Sequence, residues 1–382
     1  MVKELTILGS TGSIGRQALD VADMHGIRIT ALTSNSRIDI LENQVRQFSP
    51  EAVAVADEKK AKELKIKIAD TGVKVLSGSG GVTECASMKT QCVLNSIVGI
   101  AGLGGTVAAL EAGNGLALAN KESLVAGGSH VTRIAREKGI SILPVDSEHS
   151  AVFQSLAGCK DKKQIKKLIL TASGGPFFGK TKKELENVTL EQALSHPNWA
   201  MGAKITVDSA TMMNKGLEII EAAWLFGIKS DKIDVVVHRQ SVLHSAVQFV
   251  DNSVIGQLGV ADMRIPIQYA LTYPDRAESP VRELDLTEYM TLTFEKPDYD
   301  AFPCISYCKQ AFERGGLAPA FINGANEKAN ELFRSGKIKF TDIPKAVENA
   351  LTVCPVKNDC SLSDVYEADS LARQTTEKLF GL

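Results

Sequence analysis

The stretch LTILGSTGSIGRQAL (5–19) constrains the fold more than any other part of the chain. An apolar, β-branched run passes into a glycine turn and then into a helical pattern, with Gly9, Gly12 and Gly15 spaced GxxGxxG. Such a turn lets backbone N–H groups at a helix N-terminus approach a pyrophosphate. Downstream, RITAL (28–32), AVAVA (52–56), CVLNSIV (92–98), LALAN (116–120) and ISILPVD (140–146) read as further strands. Helical stretches such as VADMHG, QVRQFSP and VTRIAREKG separate some of them. Alternation at this spacing implies right-handed crossovers, hence an α/β, Rossmann-like doubly wound parallel sheet over residues 1–146.

The rhythm changes after residue 147. LILTA (168–172), KITVD (204–208) and VVVH (235–238) are strand-like, and SAVQFV (245–250), Asp251-Asn252-Ser253 and VIGQLGV (254–260) read as an antiparallel hairpin. An α+β catalytic domain is expected over 147–274, then a polar, proline-containing linker over 275–300. Patterns such as AFINGANEKANELFRSG predict a C-terminal helical domain over 301–382. At 382 residues the chain exceeds one typical core, in keeping with this division.

Composition narrows the function classes. A hydrophobic content of 44% with 23% charged residues argues against disorder. The net charge of −2 gives no reason to expect nucleic acid or an anionic membrane as partner. The most apolar window, 93–110, contains Asn95, Ser96, Thr106 and four glycines, so it reads as strand, loop and helix rather than a membrane span. MVKELTILGS lacks the pattern of a secretory signal, and seven cysteines without CxxC spacing read as reduced thiols of a cytoplasmic protein.

The second strand bears on which nucleotide binds. An NAD site would end it in an acid, whereas LTSNSR (32–37) offers Ser34, Asn35, Ser36 and Arg37. Hydroxyls and a cation suit a 2′-phosphate, so NADP is expected, against the alternative that Arg37 merely lies on a solvated helix start. Thr11 and Ser13 add hydroxyl donors at the glycine turn. In ALANKESLVAGG (117–128), Asn120, Lys121, Glu122 and Ser123 fall at a strand's carboxyl end, the edge where open α/β sheets bind ligands.

LPVDSEHSA (143–151) suggests a metal. On an extended chain Asp146 and Glu148 would point the same way, and carboxylates without cysteine imply a hard cation, Mg²⁺ or Mn²⁺. Glu218 is the natural third ligand and Glu221, one turn on, its rival. Glu218 closes DSATMMNKGLE (208–218), read as a short strand into Asp208 and a helix from Leu217, with Ser209, Asn214 and Lys215 between. With the loop hinge TASGGP (171–176) and HPNWAMG (196–202), these residues suit a phosphate monoester. Singly, Ser209 would be a helix cap and Lys215 a solvated cation; their concentration favours a ligand.

HPNWAMGAKITVDSATMMNKGLEIIEAAWLFG (196–227), together with TILGSTGSIG, LANKESLV and PVDSEHSA, resembles the 1-deoxy-D-xylulose 5-phosphate reductoisomerase family of non-mevalonate isoprenoid biosynthesis. The resemblance runs along the whole chain in the family's order. It implies a homodimer that uses NADPH and Mg²⁺, Mn²⁺ or Co²⁺. It further implies Asp146, Glu148 and Glu218 as metal ligands, and a phosphate clamp of Ser173, Ser209, Asn214 and Lys215 with His196 nearby. Ser147 and Lys121 would contact substrate oxygens, while Trp199 and Met201 would belong to a flap over about 173–203. His244 falls at a family-typical histidine. Gly9, Thr11, Gly12, Ser13, Ile14, Asn120, Glu122 and Gly202 would contact NADPH, with Asn35, Ser36 and Arg37 toward the 2′-phosphate.

The implied reaction is a retro-aldol cleavage and re-addition, followed by NADPH reduction to 2-C-methyl-D-erythritol 4-phosphate. Lys121, Glu148 and His196 are the catalytic candidates; the base stays open between Glu148, Lys121 and a metal-bound water. The chain departs from the family pattern at Arg239, where HPQS becomes HRQS, at AGLGGT (101–106) and in the SNSR loop. Two other readings compete. An NADP-dependent sugar-phosphate dehydrogenase would not need a three-carboxylate metal site, and a catalytically dead NADP sensor would show damage in the metal or phosphate set.

Overall fold

The computed structural model describes residues 1–199 and 201–382 and divides the chain into two compact units. The first comprises Met1–Ser123, Ser129–Ser150 and Asp262–Arg282. Its sheet has seven strands: β1 Glu4–Leu8, β2 Arg28–Ser34, β3 Ala52–Val55, β4 Lys74–Ser77, β5 Cys92–Asn95, β6 Gly115–Leu118 and β7 Ile142–Pro144. All neighbours pair in parallel, in the order β4-β3-β2-β1-β5-β6-β7. The expected doubly wound sheet is therefore present, with its direction of winding reversing between β1 and β5. β3 and β5 are buried at every position, because helices cover both faces of a parallel sheet. Leu5, Ile7, Ile29, Leu32, Val53 and Leu94 centre the core, and the helix Arg264–Thr272 adds Ile267 and Leu271 to it. β4 is one strand more than the sequence pattern indicated. It is short and half-exposed at the sheet edge, so its sequence KVLS carries little hydrophobic signal.

The second unit comprises Leu124–Gly128, Ala151–Ala261 and Glu283–Leu382. Its sheet runs β11-β10-β8-β9, with β8 Ile165–Ala172, β9 Ile233–Val237, β10 Leu243–Phe249 and β11 Val254–Leu258. β10 and β11 form the expected hairpin, turning at Asn252 with φ of 69°. Four helices, Cys304–Arg314, Ala318–Arg334, Asp342–Val353 and Leu362–Leu379, make the C-terminal helical region. Phe177, Ile219, Phe226, Ile233, Val247 and Phe333 lie in the core these elements share.

Three local expectations are corrected. KITVD (204–208) is not a strand but part of the helix Ala203–Ala210. Ile205, Thr206 and Val207 favour a strand locally, but the helix buries Thr206, Val207 and Ala210 on one face, and packing outweighs propensity. Asp146 and Glu148 do not lie on one extended stretch, because a helix, Ser147–Ser155, opens between them. The helix expected from Leu217 begins four residues earlier, at Met213, after a left-handed turn at Met212 (φ 58°). All seven cysteines are free, and burial pushes the Cys85, Cys92 and Cys304 thiols up to about 12. Among the described residues no helix is long and apolar enough to cross a membrane.

Candidate active site

In the first unit the site begins where β1 ends. Gly9 takes φ of 82°, a left-handed conformation that glycine adopts without strain, and its N–H donates to Thr33 Oγ1 (2.9 Å). Gly12 N–H donates back to the Gly9 carbonyl (3.0 Å), and the helix Ser13–Met24 starts with no side chain capping its first turn. Those N–H groups point the positive end of the helix outward, as an anion site requires. A Cβ on Gly15 would stand 2.4 Å from the Gly9 carbonyl oxygen, so glycine there lets turn and helix close together. Thr11 and Ser34 share a hydroxyl bond (2.8 Å), and Arg37 donates to the Thr11 carbonyl (3.4 Å). Arg37, exposed like Asn35 and Ser36 before it, stands at the start of the helix Ile38–Phe48 and also reaches back to the glycine turn.

Asn120 and Glu122 are buried at the C-terminal end of β6. Asn120 Oδ1 caps the helix Lys121–Glu137 by accepting from Ser123 N–H (3.0 Å). Its amide donates to the carbonyls of Ile97 (2.7 Å) and Gly99 (2.9 Å) and to Glu122 Oε2 (3.0 Å). Asn120 therefore ties the loop after β5 to the start of this helix. Next to it Lys121, only 6% exposed, holds its ammonium 3.2 Å from Asp146 Oδ2. The other Asp146 oxygen accepts from Glu148 N–H (3.1 Å) and lies 3.1 Å from His149 Nδ1. Ser147 Oγ donates to Glu148 Oε2 (2.5 Å). Two carboxylates of this kind, at the carboxyl end of β7, are a hard-donor set that suits a divalent cation such as Mg²⁺.

The second unit carries the other polar group. Ser173 follows β8 directly and lies 2.9 Å, Oγ to Nε2, from His196. His196 Nδ1 accepts from Asn198 N–H (3.2 Å) and Trp199 N–H (3.0 Å). That assignment places the ring proton on Nε2, which donates to Ser173, leaving the serine hydroxyl proton for an acceptor elsewhere. Burial, and then the charge of Arg239, hold the imidazole pKa below its ordinary value. Trp199 lies against His244 with ring centroids 6.2 Å apart. Ala200, inside the expected flap, lies outside the described residues; Met201 and Gly202 lead into the helix Ala203–Ala210.

Ser209 lies in the last turn of that helix, and Asn214 and Lys215 fall in the first turn of the helix Met213–Phe226. Lys215 (4% exposed) pairs with Glu218 (1%), whose second oxygen accepts from the Asn214 amide. Ammonium, amide and carboxylate are thereby gathered on one helical face by i, i+3 and i, i+4 spacing. Glu221, the rival ligand, is fully buried one turn on.

One buried group escaped the sequence reading. Asp208 (1% exposed) accepts from Asn326 and Asn330 Nδ2, each at 2.9 Å, and pairs with Lys204 Nζ at 3.0 Å. This network ties the helix bearing Ser209 to Ala318–Arg334. The signal was present in NGANEKAN (323–330), where Asn323, Asn326 and Asn330 make a polar stripe along an otherwise apolar helical face.

Comparison with known proteins places these features in context. Residues 5–128 match the family model of 1-deoxy-D-xylulose 5-phosphate reductoisomerase, and residues 142–226 and 258–375 match two models of its C-terminal domain. A 1-deoxy-D-xylulose 5-phosphate reductoisomerase of Acetivibrio thermocellus is 53% identical over 380 residues, covering 99% of this chain and 100% of the relative. The Zymomonas mobilis enzyme in complex with NADPH superposes with a TM-score of 0.93 at 39% identity, over 100% of both chains. A DOX-P reductoisomerase in complex with NADPH, fosmidomycin and magnesium superposes at 0.95 with 41% identity, covering 99% of this chain and 98% of that one.

Proposed function

The chain belongs to the 1-deoxy-D-xylulose 5-phosphate reductoisomerase family, and from that membership we propose how its own residues perform the reaction. It converts 1-deoxy-D-xylulose 5-phosphate to 2-C-methyl-D-erythritol 4-phosphate, an NADPH-dependent rearrangement and reduction in isoprenoid biosynthesis. One observation carries the assignment of roles. Lys215 and Glu218 sit three residues apart on one buried helical face, a phosphate cation beside a metal ligand.

Ser173, Ser209, Asn214 and Lys215 hold the substrate phosphate, and His196 orients Ser173 through its Nε2–H. Keeping the phosphate-bearing fragment in place lets the two halves recombine after the carbon–carbon bond breaks. Asp146, Glu148 and Glu218 hold the cation. When bound, Mg²⁺ supplies Lewis-acid polarisation of the substrate's carbonyl and hydroxyl oxygens. Lys121, beside Asp146, and Ser147 contact those oxygens, and the proton moves through Lys121 or Glu148. NADPH supplies the hydride for the final reduction. Thr11, Gly12, Ser13 and Ile14 receive its pyrophosphate, while Asn35, Ser36 and Arg37 take the 2′-phosphate. Gly9, Asn120, Glu122 and Gly202 complete the cofactor contacts. Trp199 and Met201, in the flap at about 173–203, close over the substrate and exclude water. The working form is a cytoplasmic homodimer.

The test is NADPH oxidation with 1-deoxy-D-xylulose 5-phosphate and Mg²⁺ or Mn²⁺, repeated with a chelator. Metal-dependent oxidation yielding the branched polyol phosphate supports the roles. Oxidation insensitive to the chelator would instead favour a plain sugar-phosphate dehydrogenase. Fosmidomycin, which a 41%-identical relative binds with Mg²⁺ and NADPH, is expected to compete with the substrate.

A further inference from the structure

Arg239 stands at the first position of the turn between β9 and β10, beside the buried His238. That turn is anchored. His238 Nδ1–H donates to the Thr293 carbonyl (2.9 Å), and its Nε2 accepts from the N–H groups of Val242 and Leu243, each at 3.2 Å. The imidazole also stacks on Phe294, with centroids 4.8 Å apart and an interplanar angle of 15°. Arg239 therefore rises from a rigid base.

From that base it reaches both ends of the segment between β8 and the helix Ala203–Ala210. Its guanidinium lies 5.0 Å above the ring centroid of Phe178, and its carbonyl accepts from the Asn198 amide, which also donates to Ser241 Oγ (2.9 Å). Phe178 has room to move. It lines a cavity of about 130 Å³ with Gly174, Met212, Val237, Lys296, Asp298 and Phe302, so part of the ring faces open space and the guanidinium over it adds a contact that can hold it. Phe178 also lies against the Cα of Gly174, where a Cβ would come within 2.9 Å of the ring. The positive charge of Arg239 is felt at His196, inside the same segment. Among the described residues no carboxylate pairs with this guanidinium.

We propose that Arg239 is a positioning residue that clasps both ends of the 178–198 segment to the β9–β10 turn and so sets how readily that segment closes over a phosphorylated substrate. The inference rests on the reading of 173–203 as a closing flap, with Ser173 and His196 at the phosphate end. The side chain acts at a distance from the reacting carbons, through the segment that it holds.

The experiment compares Arg239→Met, which keeps the apolar stem but removes the charge, with Arg239→Lys, which keeps a cation over the ring. Amide hydrogen exchange is followed in the NADPH-bound enzyme over 176–199, with β8 and β10 as internal references. KM and kcat for 1-deoxy-D-xylulose 5-phosphate are measured in parallel. For Arg239→Met, exchange over 176–199 rises, most at the Phe178 end because the backbone carbonyl still accepts from Asn198, while the reference strands keep theirs, and KM rises about threefold to tenfold with kcat little changed. Arg239→Lys recovers at least half of both effects and serves as the folding control. Unchanged exchange over 176–199 overturns the clasp, and faster exchange with an unchanged KM overturns its role in closure. Should the unsubstituted enzyme show no turnover with this substrate, the proposed reaction fails, and the exchange comparison still decides the clasp.

Discussion

His196 is a residue whose charge state is set by its surroundings. Two backbone N–H groups point at Nδ1, so protonation there would force donor against donor. Burial and the Arg239 charge act in the same direction, lowering the pKa from 6.5. Between the lowered value and 6.5 the unfolded chain binds more protons than the folded one, so stability rises with pH across that window. This contribution is complete above the unfolded value and is lost as pH falls through the folded one. His196→Gln is therefore expected to flatten the pH dependence of the urea midpoint below pH 6.5; a slope as steep as that of the unsubstituted protein would contradict it. Lys215 and Glu218 are a harsher case, because neither charge reaches water. Lys215→Ala should lower stability by about 3–5 kcal/mol without metal and raise KM strongly. A loss below about 1 kcal/mol would mean that Glu218 finds another counter-charge. Glu218→Gln should cut kcat by about 10²–10³ while the NADPH Kd stays the same, and an unchanged rate would remove Glu218 from the reacting centre.

Helices and turns hold these groups in position. The β1 turn depends on Gly15, because a methyl group there would press on the backbone of Gly9 and Ser10 rather than on a side chain that can swing away. Gly15→Ala is expected to cost about 1–3 kcal/mol and to weaken NADPH, leaving substrate-phosphate contacts untouched; calorimetry with each ligand separates the two. The helix bearing Ser209 depends instead on Asp208 and its two asparagines. Asn330→Leu should cost about 1–3 kcal/mol and raise KM for the substrate, since it removes a donor from a buried carboxylate one residue before Ser209. An unaltered KM at reduced stability would confine the network to folding.

For the molecule as a whole, the proposed nucleotide contacts and the proposed metal ligands are different residues. The contacts proposed for NADPH at the glycine turn, Thr11 and Arg37 lie in the first unit and include neither Asp146 nor Glu148, the proposed metal ligands there. NADPH at a hundred times its Kd should therefore stabilise the protein by about 2.7 kcal/mol with or without chelator, while turnover disappears in chelator alone. Thermal unfolding at fixed protein concentration checks this. Loss of the NADPH effect on metal removal would show that the nucleotide site needs the ion.

Much of this protein was legible in its amino-acid order, wherever local pattern and final structure agree. Alternating apolar strands and helices, and three glycines in one turn, specify a doubly wound parallel sheet because parallel crossovers permit few arrangements, although the half-exposed edge strand β4 left too little apolar signal to be read. The polar set from Ser173 to Glu218 was equally visible, being an unusual density of hydrogen-bonding groups on short stretches of chain. Tertiary structure decided the rest. Ile205, Thr206 and Val207 prefer a strand by a fraction of ~1 kcal/mol, a bias overcome by burial along one helical face and by the asparagine pair that holds Asp208. The cation over Phe178 joins positions 61 residues apart (239 − 178), and no local period connects them.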